Sequence, residues 1–253
     1  MTTAQEIIRR MEALQNDKQR EILMRFFKTG KGEYGEGDAF LGLKVPQTRA
    51  VTKEVWKELP LIEVPEMLAS PWHEVRLCGL LVLVEKFERL ATNRLENDEA
   101  AIRERDNIVN MYLQHARQAN NWDLVDLSAP KLLGHWLLLP TAFDKLRVLD
   151  TLAQSDCLWE QRMSMVSTWK PIQQGDPSWC LRYAEMLLQH RHDLMHKAVG
   201  WMLREMGKRV SMGLLRDFLR QHVHEMPRTT LRYAIEKMDD EERRYWMTMP
   251  PQD

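Results

Sequence analysis

Prolines divide this sequence into short segments, and within the segments apolar residues recur at helical spacing. Ile7, Ile8, Met11 and Leu14 share one helical face, and Ile102, Val109 and Tyr112 repeat the pattern further on. No run of strict apolar and polar alternation lies between turn signals, so no strand is expected. Pro46, Pro60, Pro65, Pro71, Pro130, Pro140, Pro171, Pro177 and Pro227 stand between the periodic segments. A proline in the first helical turn loses no helical hydrogen bond, whereas one in the interior does. Ser128-Ala129-Pro130 and Asp176-Pro177 therefore read as helix starts. The spacing predicts an all-α chain of many helices, each of roughly 10–18 residues.

The helices also repeat. His73-Glu74-Val75-Arg76-Leu77, Trp159-Glu160-Gln161-Arg162-Met163 and Met195-His196-Lys197-Ala198-Val199 each place a basic residue just before an apolar face. Arg162 to Lys197 and Lys197 to Arg232 are both 35 residues, and Arg76 to Arg162 is 86, room for two longer repeats. That period matches HEAT-like helix pairs stacked into a curved solenoid, whose inner helices line a concave face. With 253 residues, 44% of them hydrophobic, one repeat domain over residues 1–253 can bury a large core.

Bulk charge is silent about partners. The 36 basic and 37 acidic residues leave a formal net charge of -1, so any signal for nucleic acid must lie in the distribution of charge. From Arg191 to Tyr233 there are nine Lys or Arg against four acids, together with His192, His196, His222 and His224. Such a segment suits a phosphate-tracking surface, and also arises by chance in a helical array. Cys78, Cys157 and Cys180 are odd in number and form no CxxC pattern, which points to a reducing, cytoplasmic setting. The N-terminal residues lack the basic and apolar regions of a signal peptide. The apolar run from Leu77 to Val84 is too short to span a bilayer.

Several clusters have chemical potential. In Asn121-Trp122-Asp123-Leu124-Val125-Asp126, Trp122 and Asp126 are one helical turn apart on one face. An aromatic wall beside a fixed carboxylate suits a cationic ligand. A core Trp with Asp126 in an ordinary ion pair is the plainer alternative. Asp123 points elsewhere and suits a helix start. In the segment from His196 to Lys208, Val199, Met202, Leu203 and Met206 make an apolar stripe, while Lys197, Trp201, Arg204 and Lys208 make a basic one. Gly200 allows close approach of another helix or of a ligand. The second stripe reads equally as a snorkelling basic face with one amphipathic Trp. The four glycines between Gly30 and Gly37 lack the order of a P-loop and follow no strand. They form a flexible connector or, more weakly, a loop whose N–H groups approach a phosphate. His190, His192 and His196 lack a third ligand at suitable spacing, so no metal site is expected.

These residues together resemble the AlkD family of DNA alkylation repair glycosylases. The resemblance runs over nearly the whole chain. It rests on Phe40-Leu41-Gly42-Leu43-Lys44-Val45-Pro46-Gln47-Thr48-Arg49, Trp122-Asp123-Leu124-Val125-Asp126, Trp159-Glu160-Gln161-Arg162 and Lys197-Ala198-Val199-Gly200-Trp201-Met202-Leu203-Arg204-Glu205, in that order. It implies hydrolytic excision of cationic N3- or N7-alkylated purines from double-stranded DNA, leaving an abasic site, without metal or other cofactor and by a monomer. The family's two catalytic Trp and one Asp fall on Trp122, Trp201 and Asp126. Its DNA-holding basic positions fall on Arg162 and Arg204, with Lys44, Lys197 and Lys208 as further DNA contacts. Lys44 replaces a polar amide found in some relatives, and the Gly30 to Gly37 loop exceeds the connector of well-known members. The resemblance further implies catalysis without a dedicated base pocket, unlike most glycosylases.

The residue types suit that chemistry. A cationic alkylpurine already leaves easily, so Asp126 has only to stabilise the positive charge growing on the deoxyribose, help typically worth ~3–4 kcal/mol. Trp122 and Trp201 would flank the sugar. A non-catalytic scaffold binding DNA or protein is the alternative. Another hydrolase is disfavoured by the lack of GxSxG, HExxH or a Cys/His arrangement.

Overall fold

The computed structural model describes residues 2–249 and is helical throughout. Among the described residues no strand forms; a single isolated parallel bridge joins Ala39 and Trp72. The contacts divide the chain into two compact units, Met1–Leu132 with Leu139–Phe143, and Leu133–Leu138 with Asp144–Asp253.

The first unit contains α1 (Ala4–Glu12), α2 (Asp17–Phe26), α3 (Val45–Val55), α4 (Val64–Leu68), α5 (His73–Leu90), α6 (Glu99–Gln114) and α7 (Trp122–Ser128). Thr3 and Glu6 form a capping box that starts α1. Ile7 and Met11 are buried, whereas Leu14 lies past the helix end and is exposed. Pro46 and Pro65 sit in the first turns of α3 and α4, where their missing N–H costs nothing. α5 is the centre of the unit and packs against α3, α4, α6 and α7. Its stretch Leu77–Val84 is buried on every side, as befits a helix that is apolar all round. Each buried Leu or Val there contributes roughly 1.5–3 kcal/mol of transfer free energy. No helix among the described residues is long and apolar enough to cross a membrane.

The second unit contains α8 (Leu133–Trp136), α9 (Lys145–Ala153), α10 (Leu158–Ser167), α11 (Trp169–Gln173), α12 (Ser178–Met186), α13 (Asp193–Arg209), α14 (Met212–His222), α15 (Arg228–Ala234) and α16 (Asp240–Thr248). α9 packs on α10 and α12 on α13, while α10, α13 and α15 pack against one another in succession. Those three helices carry Arg162, Lys197 and Arg232, so the 35-residue interval marks a real helical repeat. Gly200 permits the tightest of these contacts: a Cβ there would lie 2.5 Å from the Thr230 carbonyl oxygen and from Tyr233 Cβ.

Three expectations need correction. Ser128-Ala129-Pro130 ends α7 instead of starting a helix. The Ser128 hydroxyl donates back to the Leu124 carbonyl at 2.5 Å, and Pro130 follows the C-cap residue, a common proline position. Asp176-Pro177 does start α12, with Asp176 accepting from the Ser178 N–H. Pro171 lies in the middle of the short α11, just after a break at Thr168, and cannot donate to the Ser167 carbonyl. Gly134 passes over that oxygen, 2.5 Å from where its Cβ would be. Finally, α4, α7, α8, α11 and α15 are clearly shorter than the proline spacing predicts.

Candidate functional site

In the first unit the glycine-rich loop leads to the site and is closed by its own carboxylates. The N–H groups of Gly30 and Gly32 donate to Glu33 and Glu36 at 2.9 and 2.7 Å, and that of Gly35 donates to the Lys28 carbonyl. Three of the loop's glycine N–H groups are thus taken, which weighs against the phosphate reading, while the segment connects α2 to α3 as the connector reading expects. The loop delivers Asp38 and Phe40 to the start of α5, where the His73 N–H donates to the Ala39 carbonyl at 2.8 Å.

The next turn is fixed by a buried charge. The Glu74 carboxylate accepts three backbone N–H bonds, from Leu41, Gly42 and Leu43, at 2.9, 2.8 and 3.0 Å. Gly42 has φ +88°, and a Cβ on it would lie 2.2 Å from the Asn16 carbonyl oxygen. Only glycine fits there. Lys44 follows at the start of α3; the Gln47 side chain accepts from its backbone N–H, and Lys44 itself is exposed.

His73 is the electrostatic centre. Its Nδ1 meets Asp38 at 2.8 Å and its Nε2 meets Asp123 at 2.9 Å, with His73 only 2% exposed. A ring donating from both nitrogens is an imidazolium. Burial alone would lower its pKa, but the Asp123 carboxylate first and the Asp38 carboxylate second outweigh that and raise it to about 9. Burial likewise would raise Asp38, yet the bond to His73 and the charges of His73 and Arg76 bring it below the usual carboxylate range. Arg76 donates to Asp38 at 2.5 Å, to Asn120, and to the carbonyls of Ser70 and Pro71. The basic residue of the first repeat segment is therefore a buried organiser of three loops.

α7 completes the site. Asn121 precedes it, fully buried, and accepts from the Trp122 N–H at 2.9 Å. Trp122 and Asp126 share a face and line one cavity of about 460 Å³, together with Lys44, Asp123, His73, Phe26, Phe27 and Phe40. Phe40 stacks on His73 with ring centroids 4.4 Å apart, Phe27 stacks on Phe40 at 5.2 Å, and Phe27 tilts against Trp122 at 5.5 Å. Phe26 meets Trp122 edge-on at 6.0 Å. The sequence reading sends Asp123 elsewhere; instead it bonds His73 and lines the same cavity as Trp122 and Asp126.

In the second unit the apolar stripe of α13 is buried, with Val199, Met202, Leu203 and Met206 all inaccessible. Of the basic stripe, Lys197 pairs with Asp193 at 2.7 Å, Trp201 is half-buried and Lys208 is exposed. Arg204 bonds the Glu236 carboxylate and lies 3.4 Å from Glu205, and its Nε is buried without a partner. Arg162 on α10 is buried and donates to the Leu194 carbonyl at 2.5 Å. Of the nine basic residues between Arg191 and Tyr233, five pair with acids: Lys197 with Asp193, Arg204 with Glu236, Arg209 with Glu205, Arg216 with Glu242 and Arg220 with Asp217, of which Glu236 and Glu242 lie beyond that window. His190 bonds Gln161, and His196 bonds the His190 carbonyl. No group of three or more His, Cys, Asp or Glu among the described residues is arranged to hold a metal ion.

The sequence reading had not singled out Asp38, His73, Glu74 or the phenylalanines. His73-Glu74-Val75-Arg76 was visible as a charged cluster opening an apolar helix, and Phe40 as the first residue of a motif shared with the resembled family.

Comparison with known proteins agrees with this architecture. The structure is similar to a solved one described as a predicted DNA alkylation repair enzyme from Enterococcus faecalis, with a TM-score of 0.66, 15% sequence identity, and coverage of 89% of this chain and 97% of that one. At that identity the likeness establishes the fold. No curated protein matches the sequence. The sequence does match the DNA alkylation repair enzyme family over residues 7–238, nearly its full length. An all-helical chain carrying Trp122 and Asp126 on one wall of an aromatic cavity thus belongs to the DNA alkylation repair enzyme family.

Proposed function

We propose that this protein is a monofunctional alkylpurine DNA glycosylase, acting as a cytoplasmic monomer on cationic N3- or N7-alkylated purines in double-stranded DNA. The observation that carries the reading is Trp122 and Asp126 lining one cavity, one helical turn apart, in a member of a DNA alkylation repair family. The C1′–N bond breaks with its electron pair leaving on the purine, which neutralises the purine's charge. Water adds its oxygen to C1′ and loses its proton to bulk solvent, leaving an abasic site. Asp126 stabilises the positive charge that develops on the sugar, and Trp122 provides an aromatic wall. The resemblance gives Trp201 the second sugar contact and gives Arg162, Arg204, Lys44, Lys197 and Lys208 the DNA backbone. No general acid is needed, because the purine leaves as a neutral base, and no Schiff-base lysine takes part.

The test is release of 7-methylguanine and 3-methyladenine from methylated duplex DNA by wild type and Asp126→Asn. Release should fall by roughly 100- to 1,000-fold in the variant while duplex binding is kept. The second reading, a non-catalytic scaffold, is favoured by the internal bonding of Arg162 and Arg204. Duplex binding by wild type with no base released would select it.

A further inference from the structure

α3 packs along α5, and a second recess opens between these two helices. Its volume is about 490 Å³, and it shares no lining residue with the cavity of Trp122 and Asp126. α3 supplies Arg49, Lys53, Trp56 and Lys57, and α5 supplies Leu81 and Glu85. Arg49, Lys53 and Lys57 follow at four-residue spacing, so they form a row on one face of α3, about 6 Å apart along its axis. All three are exposed, and none pairs with an acid among the described residues. Glu54, on the same helix, pairs with Arg10 instead. Like charges at this spacing destabilise a helix, so the row is a local cost that no ion pair offsets. The basic segment of the second unit differs, because most of its cations do find acids.

The rest of the lining narrows the occupant. Trp56 is half-buried in the recess, and Lys57 Nζ lies 5.6 Å from its ring centroid, so one cation and the indole form a unit. Leu81 gives a buried apolar floor, and Glu85 is the carboxylate of the opposite wall. An acidic peptide answers the row but brings its charges against Glu85 and leaves the indole unused. A duplex keeps its base faces stacked inside and also leaves the indole unused. A single strand alternates charged phosphates with neutral, open base faces. Cations beside an aromatic ring are the combination that such a strand requires.

We infer that the recess between α3 and α5 binds single-stranded nucleic acid, with phosphates along Arg49, Lys53 and Lys57 and a base on Trp56. The inference rests on the DNA repair family to which the chain belongs and needs no glycosylase chemistry. Val45 and Leu77 line the cavity, while Arg49 and Leu81, each four residues further on, line the recess. The two sites are thus neighbours along one helix pair, and an unpaired strand is held beside the candidate active site.

The experiment titrates the full chain with a fluorescein-labelled single strand of about ten nucleotides, its duplex, and a labelled oligoglutamate, following anisotropy at several salt concentrations. Wild type, Lys53→Ala, Trp56→Leu and Arg94→Ala are compared; Arg94 is an exposed cation outside the recess. Lys53→Ala should lower the salt slope of single-strand binding by about 0.7, one phosphate's share. Trp56→Leu should weaken single-strand binding by about 5-fold or more with the slope kept, as loss of a stacking ring does. Neither should change duplex binding, and Arg94→Ala should change nothing. Should Trp56→Leu fail to fold, Trp56→Phe serves: the strand should quench tryptophan emission in wild type and less in the variant. Absence of single-strand binding, an unchanged slope in Lys53→Ala, or unchanged affinity in Trp56→Leu overturns the inference. Equal weakening of duplex binding does so in favour of a duplex contact, and oligoglutamate bound as tightly as the strand does so in favour of an acidic protein partner. Base release from methylated duplex is measured alongside. Release without single-strand binding removes the recess and leaves the glycosylase; single-strand binding with these losses but no release removes the glycosylase and leaves the recess.

Discussion

Raising the pH through the slightly alkaline range should destabilise this protein through one buried residue. His73 is bonded at both ring nitrogens, to Asp38 and Asp123, and its pKa is raised from 6.5 to about 9. Because the folded value lies above the unfolded one, the stabilisation is complete below about pH 6.5 and disappears as pH rises through about 9. The difference corresponds to roughly 3 kcal/mol, of which roughly half remains at pH 8. That is a large share of the ~5–15 kcal/mol by which domains are stable. Urea unfolding between about pH 6 and pH 9.5 measures it. Wild type should lose stability steadily across the window, while His73→Gln should be weaker at the low end and nearly flat. Should His73→Gln fail to fold, Asp123→Asn serves: it leaves one carboxylate on the ring, so the decline should shift to lower pH. A wild-type stability constant to within about 0.5 kcal/mol over this range, or an equal decline in His73→Gln, would refute the argument.

Three further outcomes are expected. Gly200→Ala should cost about 1–3 kcal/mol in thermal or urea unfolding, because its Cβ meets the Thr230 carbonyl and Tyr233 at 2.5 Å and the two helices must separate. Glu74→Gln should destabilise by roughly 1–3 kcal/mol, since a neutral amide cannot replace a carboxylate that accepts three backbone N–H bonds; faster hydrogen exchange at Leu41, Gly42 and Leu43 would report it. Lys208→Ala should lower the salt dependence of duplex binding by about one phosphate contact at unchanged stability; an unchanged slope would place Lys208 off the DNA.

Much of the local architecture was legible because it depends on near neighbours. Helical spacing, the first-turn prolines of α3 and α4, and the start of α12 at Asp176-Pro177 are set by residues a few positions apart. Trp122 and Asp126 had to share a face once their segment was helical, and the 35-residue interval had to bring equivalent positions of α10, α13 and α15 into line. The same pattern misled at Pro130, since a Ser and a Pro near a helix boundary look alike at either end until the Ser128 hydroxyl is seen to bond backwards.

What the sequence by itself determined was therefore the helices, their repeat, and which side chains share a helical face. Only the tertiary structure decided who answers whom across that framework. Asp38, His73 and Asp123 come from a loop and two helices, and no spacing rule joins them; burial does, because a charge removed from water must find its partners wherever the chain brings them. Tertiary packing likewise set Arg204 against Glu236, whereas the glycine loop closes on its own exposed glutamates through local hydrogen bonds. Packing also left Phe26 exposed at an aromatic cavity, a surface that exists only once α2, α5 and α7 are packed.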